Sequence, residues 1–406
     1  MIIRNGLIFQ EDKTFAKKDI VIENGRIIEV RECAEDAQGQ ENLSCIVDAT
    51  DLYVLPGLID VHSHGAVGHD FSDGDSDGMK EILAYQYAHG VTSYCPTSMT
   101  LPKEKLLEVY RQAEKLVCED KEILSGIDNV NSEKKSQDTQ KLARIIGFNM
   151  EGPFLDTTKK GAHREEDILP PDVDFFRECN EACGNQIRLV TVAPNVEGAE
   201  EFIREISGNG SRHNNIIISL GHTSADYTIA KKAFDTGATH VTHLFNAMSP
   251  MNHREPGLIG AASENENCMV ELICDGVHVH ESMVRAAFKL FPGRIVLISD
   301  SIRAAGLSDG TYELGGQQVI VRGNLATLED GTIAGSVTNL FDCMRLAISY
   351  GVAPEEAVAA ATMNPAKSIG IYEEVGSLTP GKRADVILVD GDWKLVKVID
   401  KYKKIW

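Results

Sequence analysis

Apolar and polar residues alternate through residues 2–30, where IIRNGLIF is followed by DIVIENGRIIEV, with Asn24-Gly25 between two of the apolar runs. Alternation with a period of two puts one face of a strand in a core and the other in solvent. Asn-Gly suits the left-handed positions of a tight hairpin, so paired strands are predicted here. A similar strand-rich stretch, GSLTPGKRADVILVDGDWKLVKVI, occupies residues 376–399. Between the two ends the pattern changes to short β-branched runs, each followed by a segment with helical spacing. In EKLLEVYRQAEKLVC, Leu106, Leu107, Tyr110, Ala113 and Val117 recur at that spacing. Ser224 stands where it can cap a helix carrying Ile229, Ala230, Ala233 and Phe234.

Repeated alternation of strand and helix implies a parallel sheet, because each return to a parallel strand needs a crossover. The runs fall at residues 55–64, 91–98, 144–153, 187–195, 216–224, 239–246, 269–278 and 294–301. That is eight, the number that closes a (β/α)8 TIM-type barrel. The fold expected is therefore α/β: a barrel over residues 55–375, and a small β-sandwich built from both chain ends, residues 1–54 and 376–406. The polar, charge-rich segment from about Asp120 to Gln140 reads as a surface loop or insertion.

Composition narrows the partners. The 406 residues carry 40 Lys+Arg against 61 Asp+Glu, a formal charge of −21. Binding to a phosphate backbone rests on clustered Lys and Arg, so nucleic acid is excluded. An anionic substrate would have to be held by a few local donors against the overall field. No run approaches the ~18 apolar residues of a membrane span. The opening MIIRNGLIFQEDKTF does not read as a signal peptide. Nine Cys without a Cys-x-x-Cys pair suit reduced thiols in the cytoplasm.

A barrel assembles its active site at the C-terminal ends of its strands. Those ends carry His62 and His64 on the first run, Glu151 on the third, His222 on the fifth, His243 on the sixth and Asp300 on the eighth. His62 and His64 are two apart and share a face. Four imidazoles and two carboxylates at one mouth make a site for divalent Zn, Fe or Mn. Six ligands exceed the needs of one ion with an open position. Two ions sharing Glu151 would use them all, one on His62 and His64, the other on His222 and His243. The implied chemistry is hydrolysis at a carbonyl-type centre, with ion-activated water as nucleophile and Asp300 carrying its proton to the leaving group. A second His-x-His, His278 and His280, competes by spacing alone. The bland reading of His163 and Arg254, both in loops, is a solvated polar group, and His69, His89, His213, His240 and His253 show no partner pattern.

The motifs HSHG, EGP, GHT and THLFNAM and the strand-eight Asp300 resemble the amidohydrolase superfamily of metal-dependent barrels. EGPFL, KKGAH, SLGHTSA, REPGLIGAA, DGVHV, SDSIRAAG and GTIAGS bring the resemblance closer, to its N-acetylglucosamine-6-phosphate deacetylase family, across residues 56–336 in order. The resemblance implies a hydrolase of amino-sugar catabolism that removes an acetyl group from a phosphorylated amino sugar. It assigns Glu151, His222 and His243 to the metal site common to the family. Some members have Gln-x-Asn in place of His62 and His64, so retention of both implies room for a second ion. Asp300 matches the general acid/base, while Ala162, His163 and His278 match substrate contacts. Asn246 and Ala247 match the phosphate-holding segment, and Ile333, Ala334 and Gly335 a loop closing over the sugar. Arg254 matches a phosphate-binding arginine from a neighbouring subunit, which implies a homodimer. The segment near 120–140 departs from the family pattern. Deacetylation of the galactosamine epimer, hydrolysis of another amide or cyclic amide, and a non-catalytic barrel are the rival readings.

Overall fold

The computed structural model describes residues 1–33, 45–125, 141–208 and 216–399. Eight parallel strands pair in chain order: Leu58–Ser63, Val91–Ser98, Phe148–Met150, Ile187–Val192, Ile217–Leu220, His240–Val241, Met269–Ile273 and Ile295–Ile298. The first and eighth meet just past their ends. There the Asp300 N–H donates to the His62 carbonyl at 2.9 Å and the His64 N–H to the Ser301 carbonyl at 2.8 Å. The sheet thus closes into the expected barrel. Strands covered on both faces must be apolar or internally hydrogen-bonded throughout, and Val91–Ser98 is buried along its whole length.

The helix after the second strand runs Lys103–Ser125, with Leu106, Leu107, Tyr110 and Ala113 buried on its inner face. It continues into the segment read as a polar loop; residues 126–140 lie outside the described residues, as does His213. Helix Tyr227–Thr236 is capped by Asp226, whose carboxylate accepts from the Ile229 N–H at 2.8 Å, and not by Ser224. The cause is local: the Ser224 hydroxyl is committed to the Asp156 carboxylate, and Asp226 stands three residues before the donor, the spacing that capping requires.

Both chain ends enter one seven-stranded sheet: Ile2–Phe9, Phe15–Glu23, Arg26–Glu32, Ile46–Asp48, Tyr53–Pro56, Val386–Val389 and Leu395–Ile399. Val386–Val389 pairs antiparallel with Tyr53–Pro56, so that strand runs across the boundary expected at residue 54. Ile3, Ile8, Ile20, Val54, Val386 and Leu388 form its apolar core. Arg383, paired with Asp385, donates to Ser93 Oγ at 2.8 Å and ties the sheet to the second barrel strand.

A three-stranded antiparallel sheet follows the eighth strand, over Gly310–Leu314, Gln317–Arg322 and Leu325–Thr327. The eight-run count does not anticipate it. Leu314, Val319, Val321 and Ala326 pack against Met99, Ile302 and Ala334, which sets the sheet beside the barrel mouth.

Candidate metal centre

The six strand-end residues converge. His62 faces inward from the first strand, with His64 just past its end and Glu151 just past the third. His222, His243 and Asp300 each stand two residues beyond a strand end, with φ of 46°, 28° and 48°. A left-handed backbone at a residue with a Cβ costs about 1–2 kcal/mol. Three such residues at one mouth mark strain held by the surrounding fold, and strain of this kind clusters at functional sites.

Glu151 is the hub. Its Oε1 lies 2.9 Å from His243 Nε2 and 3.1 Å from His222 Nε2. Its Oε2 lies 3.1 Å from His64 Nε2, 3.4 Å from His62 Nε2 and 3.5 Å from His163 Nε2. Asp300 Oδ1 closes the other side, 3.3 Å from His64 Nε2 and 3.7 Å from His62 Nε2. Two triads result, His62 with His64 and Asp300, and Glu151 with His222 and His243, all buried, with the ligand atoms of each triad within 4.8 Å of one another.

Hydrogen bonds on the far side of each ring fix which nitrogen faces in. His64 Nδ1 donates to the Thr97 carbonyl (3.1 Å), His222 Nδ1 to the Lys159 carbonyl (2.9 Å) and His62 Nδ1 to Glu271 Oε2 (2.9 Å). A ring that donates through Nδ1 presents a lone pair at Nε2 when neutral. Several such lone pairs therefore meet carboxylate oxygens at one point, with His222 and His243 Nε2 only 2.9 Å apart. Buried His62 Nε2 has no hydrogen-bond partner among the described residues. Acceptors turned on one another are stable only around a cation. Without a metal, protons must serve: burial disfavours charge on His64, yet Asp300 and Glu151 outweigh it and push the ring up to about 10. Burial likewise works to raise Glu151, but the imidazoles, His62 foremost, hold it well below the ordinary carboxylate range. The donor set fits divalent cations of borderline softness.

Comparison with known proteins agrees with this geometry. The chain matches the amidohydrolase family over residues 53–406.

It belongs to that family.

The N-acetylglucosamine-6-phosphate deacetylase of Bacillus subtilis is 34% identical over 403 residues, 98% of this chain and 95% of the relative. An N-acetylgalactosamine-6-phosphate deacetylase of Escherichia coli O157:H7 is 32% identical, covering 83% of each chain. The Mycobacterium smegmatis N-acetyl-D-glucosamine-6-phosphate deacetylase, solved in complex with N-acetyl-D-glucosamine-6-phosphate, superposes with a TM-score of 0.85 at 30% identity, over 98% of this chain and 97% of that one.

Above this amidohydrolase centre opens a cavity of about 510 Å³, within the usual range for small-molecule sites. Ala162, His163, Asn246, Ala247, His278, Ile333 and Gly335 line it, while Ala334 is fully buried behind. His163 Nδ1 accepts from the Thr100 N–H at 3.3 Å, which leaves Nε2–H as its donor, on the side where Glu151 Oε2 lies 3.5 Å away. Burial pushes this ring down to about 4, so it is neutral at physiological pH. His278 Nδ1 donates to Asp275 at 2.8 Å. The competing His280 instead caps helix Glu281–Leu290 by accepting from the Ser282 N–H, away from the metal-facing groups. Arg254 is exposed and lines no part of this cavity. Glycine is required where the loops press on the ligands: a Cβ on Gly161 would come 3.3 Å from His222 Cε1, and one on Gly335 3.0 Å from the Asp300 carbonyl.

Four residues escape the sequence reading. Lys159 and Lys160, displayed in the motif KKGAH, belong to the cavity lining, with the Lys160 ammonium 3.8 Å from Glu165. Gln317, on the unforeseen sheet, donates to the Ala162 carbonyl at 2.5 Å and braces the loop carrying His163. Glu271, fully buried beneath His62, is signalled only as an acidic residue inside an apolar strand.

Proposed function

We propose that this protein is a metal-dependent amide hydrolase that removes the acetyl group from N-acetyl-D-glucosamine 6-phosphate, giving D-glucosamine 6-phosphate and acetate. The observation that carries the reading is the pair of buried triads beneath a lined cavity, with Glu151 of one triad 3.1 Å from His64 of the other; full-length similarity to deacetylases of this substrate supports it. Glu151, His222 and His243 would hold one divalent ion, and His62, His64 and Asp300 a second, with zinc, iron or manganese all chemically suitable. When bound, such an ion supplies Lewis acidity, making water a nucleophile near neutral pH and polarising the amide carbonyl.

The chain's own residues do the rest. Asp300, facing the cavity floor, accepts a proton from the attacking water and delivers it to the departing nitrogen, since an amine leaves only when protonated. Neutral His163 donates through Nε2 toward the substrate, and His278, fixed by Asp275, faces it from across the cavity. The phosphate is placed against the backbone of Asn246 and Ala247, with Arg254 of a second subunit completing the clamp. The 333–335 loop closes over the sugar. We propose the expected division into a terminal sheet domain (1–54 and 376–406) and a catalytic barrel (55–375), with the first boundary moved to the end of strand Tyr53–Pro56, which pairs within the terminal sheet. Free thiols among the described Cys and a phosphosugar substrate support a cytoplasmic location. Among the described residues, no helix is long and apolar enough to cross a membrane.

The galactosamine epimer is the second reading, favoured by the relative named for it. Initial rates of acetate release test both. The expected order is the glucosamine 6-phosphate substrate first, the galacto epimer below it, and the unphosphorylated sugar lowest. A faster galacto epimer would transfer the assignment, and equal rates without phosphate would remove the phosphate clamp.

A further inference from the structure

Glu271 lies on the seventh barrel strand, fully buried, below the groups that face the cavity. One of its oxygens, Oε2, does two jobs: it accepts from His62 Nδ1 at 2.9 Å and from the backbone N–H of His243 at 3.1 Å. Its other oxygen, Oε1, is 3.9 Å from His240 Nδ1. Among the described residues, the hydrogen bonds of the Glu271 carboxylate go to His62 Nδ1 and the His243 backbone N–H and not to the inward-facing nitrogens, so it is not itself a ligand. We infer that Glu271 is the positioning residue of the centre, a buried carboxylate that locks His62 with Nε2 toward the ion and sets the stations of ligands from two triads at once.

The physical reasons are three. An imidazole held by a carboxylate at Nδ1 keeps one tautomer and one ring orientation. Negative charge behind the ring makes Nε2 a better donor to a cation. A buried carboxylate is costly unless compensated, and the partners of Glu271 are imidazoles and a backbone N–H; a cation beyond His62 would supply the missing compensation. Glu271 therefore belongs to the His62 position, and its loss falls mainly on the ion bound by His62, His64 and Asp300.

This inference rests on the metal-centre reading above, and zinc titration of stripped protein against a chromogenic chelator separates the two. Wild-type protein is expected to fill two positions. Glu271→Gln, which keeps volume and an acceptor for the His243 N–H but not the charge behind His62, is expected to weaken one of them by about 10–100-fold and leave the other unchanged. Adding Glu271→Gln to a His62→Gln background is expected to cost nothing further at that position, because the carboxylate acts through the ring. Parental affinity at both positions in Glu271→Gln, or an additive loss in the double variant, overturns the inference and leaves the metal centre standing. A wild-type protein that takes up no zinc overturns both. Should Glu271→Gln not fold, ¹⁵N imidazole spectra of the zinc-loaded wild type decide. His62 protonated at Nδ1 and zinc-bound at Nε2 is expected, and zinc on Nδ1, or an unbound ring, overturns it.

Discussion

At the scale of the residue, the account turns on side chains with divided labour around Glu151. Asp300 sits within reach of both strand-one imidazoles and lines the cavity, which is the position the proposed double role, in the proton path and at the ion, requires. Asp300→Asn should leave folding intact and metal retained at Glu151, His222 and His243, with kcat lowered about 100-fold or more; near-normal turnover would take Asp300 out of the mechanism. The convergence of the six strand-end residues was legible in the sequence, because two-residue alternation and strand-end position follow from the pattern alone. Glu271 was not. It lies in a strand buried on nearly every residue, where alternation disappears and nothing in the sequence tells which side faces the metal-facing rings. Likewise Ser224 and Asp226 are both competent caps, and only the neighbouring Asp156 decides between them.

At the scale of the element, loops lean on the ligands as much as strands present them. Gly335, at φ 60°, carries its loop against the Asp300 carbonyl, and the Ser336 N–H then donates to that carbonyl at 2.8 Å. In Gly335→Ala the new Cβ meets Ile302 Cγ2 at 2.5 Å as well as the Asp300 carbonyl. The expected result is a loss of about 1–3 kcal/mol in stability together with lower kcat/KM, as Asp300 shifts. A thermal midpoint and kcat/KM equal to those of the parent would show that the loop and the acid are independent. Eight apolar runs sufficed to read the barrel. The three-stranded sheet beside the mouth was missed although TYEL-GG-QQVIV carries a Gly-Gly hairpin signal at Gly315-Gly316; a count already complete at eight left it without a place. Its consequence is functional, since it brings Gln317 and Leu314 to the cavity wall.

At the scale of the molecule, a chain of charge −21 can hold an anionic substrate only where a few cations are gathered. Lys159 and Lys160 are gathered within the subunit, whereas Arg254 is exposed outside its own cavity. If the clamp is shared, each active site draws Asp300 from one subunit and Arg254 from the other. Mixing Asp300→Asn with Arg254→Ala subunits under exchange should then restore sites that neither parent has, and activity should rise above the sum of the separate variants. A strictly additive mixture would show that Arg254 does not act across an interface. The pairing of the two chain ends in one sheet was legible from their shared alternation, whereas the proposed reach of Arg254 into a second subunit rests on resemblance alone. The proposed function requires a cation at the point where His222 and His243 face Glu151. The most direct test is an anomalous-difference map of crystals grown from metal-loaded protein. The account predicts a peak about 2.0–2.2 Å from the inward nitrogens of His222 and His243 and from a Glu151 oxygen. Crystals of fully active protein with no peak at that point would contradict it.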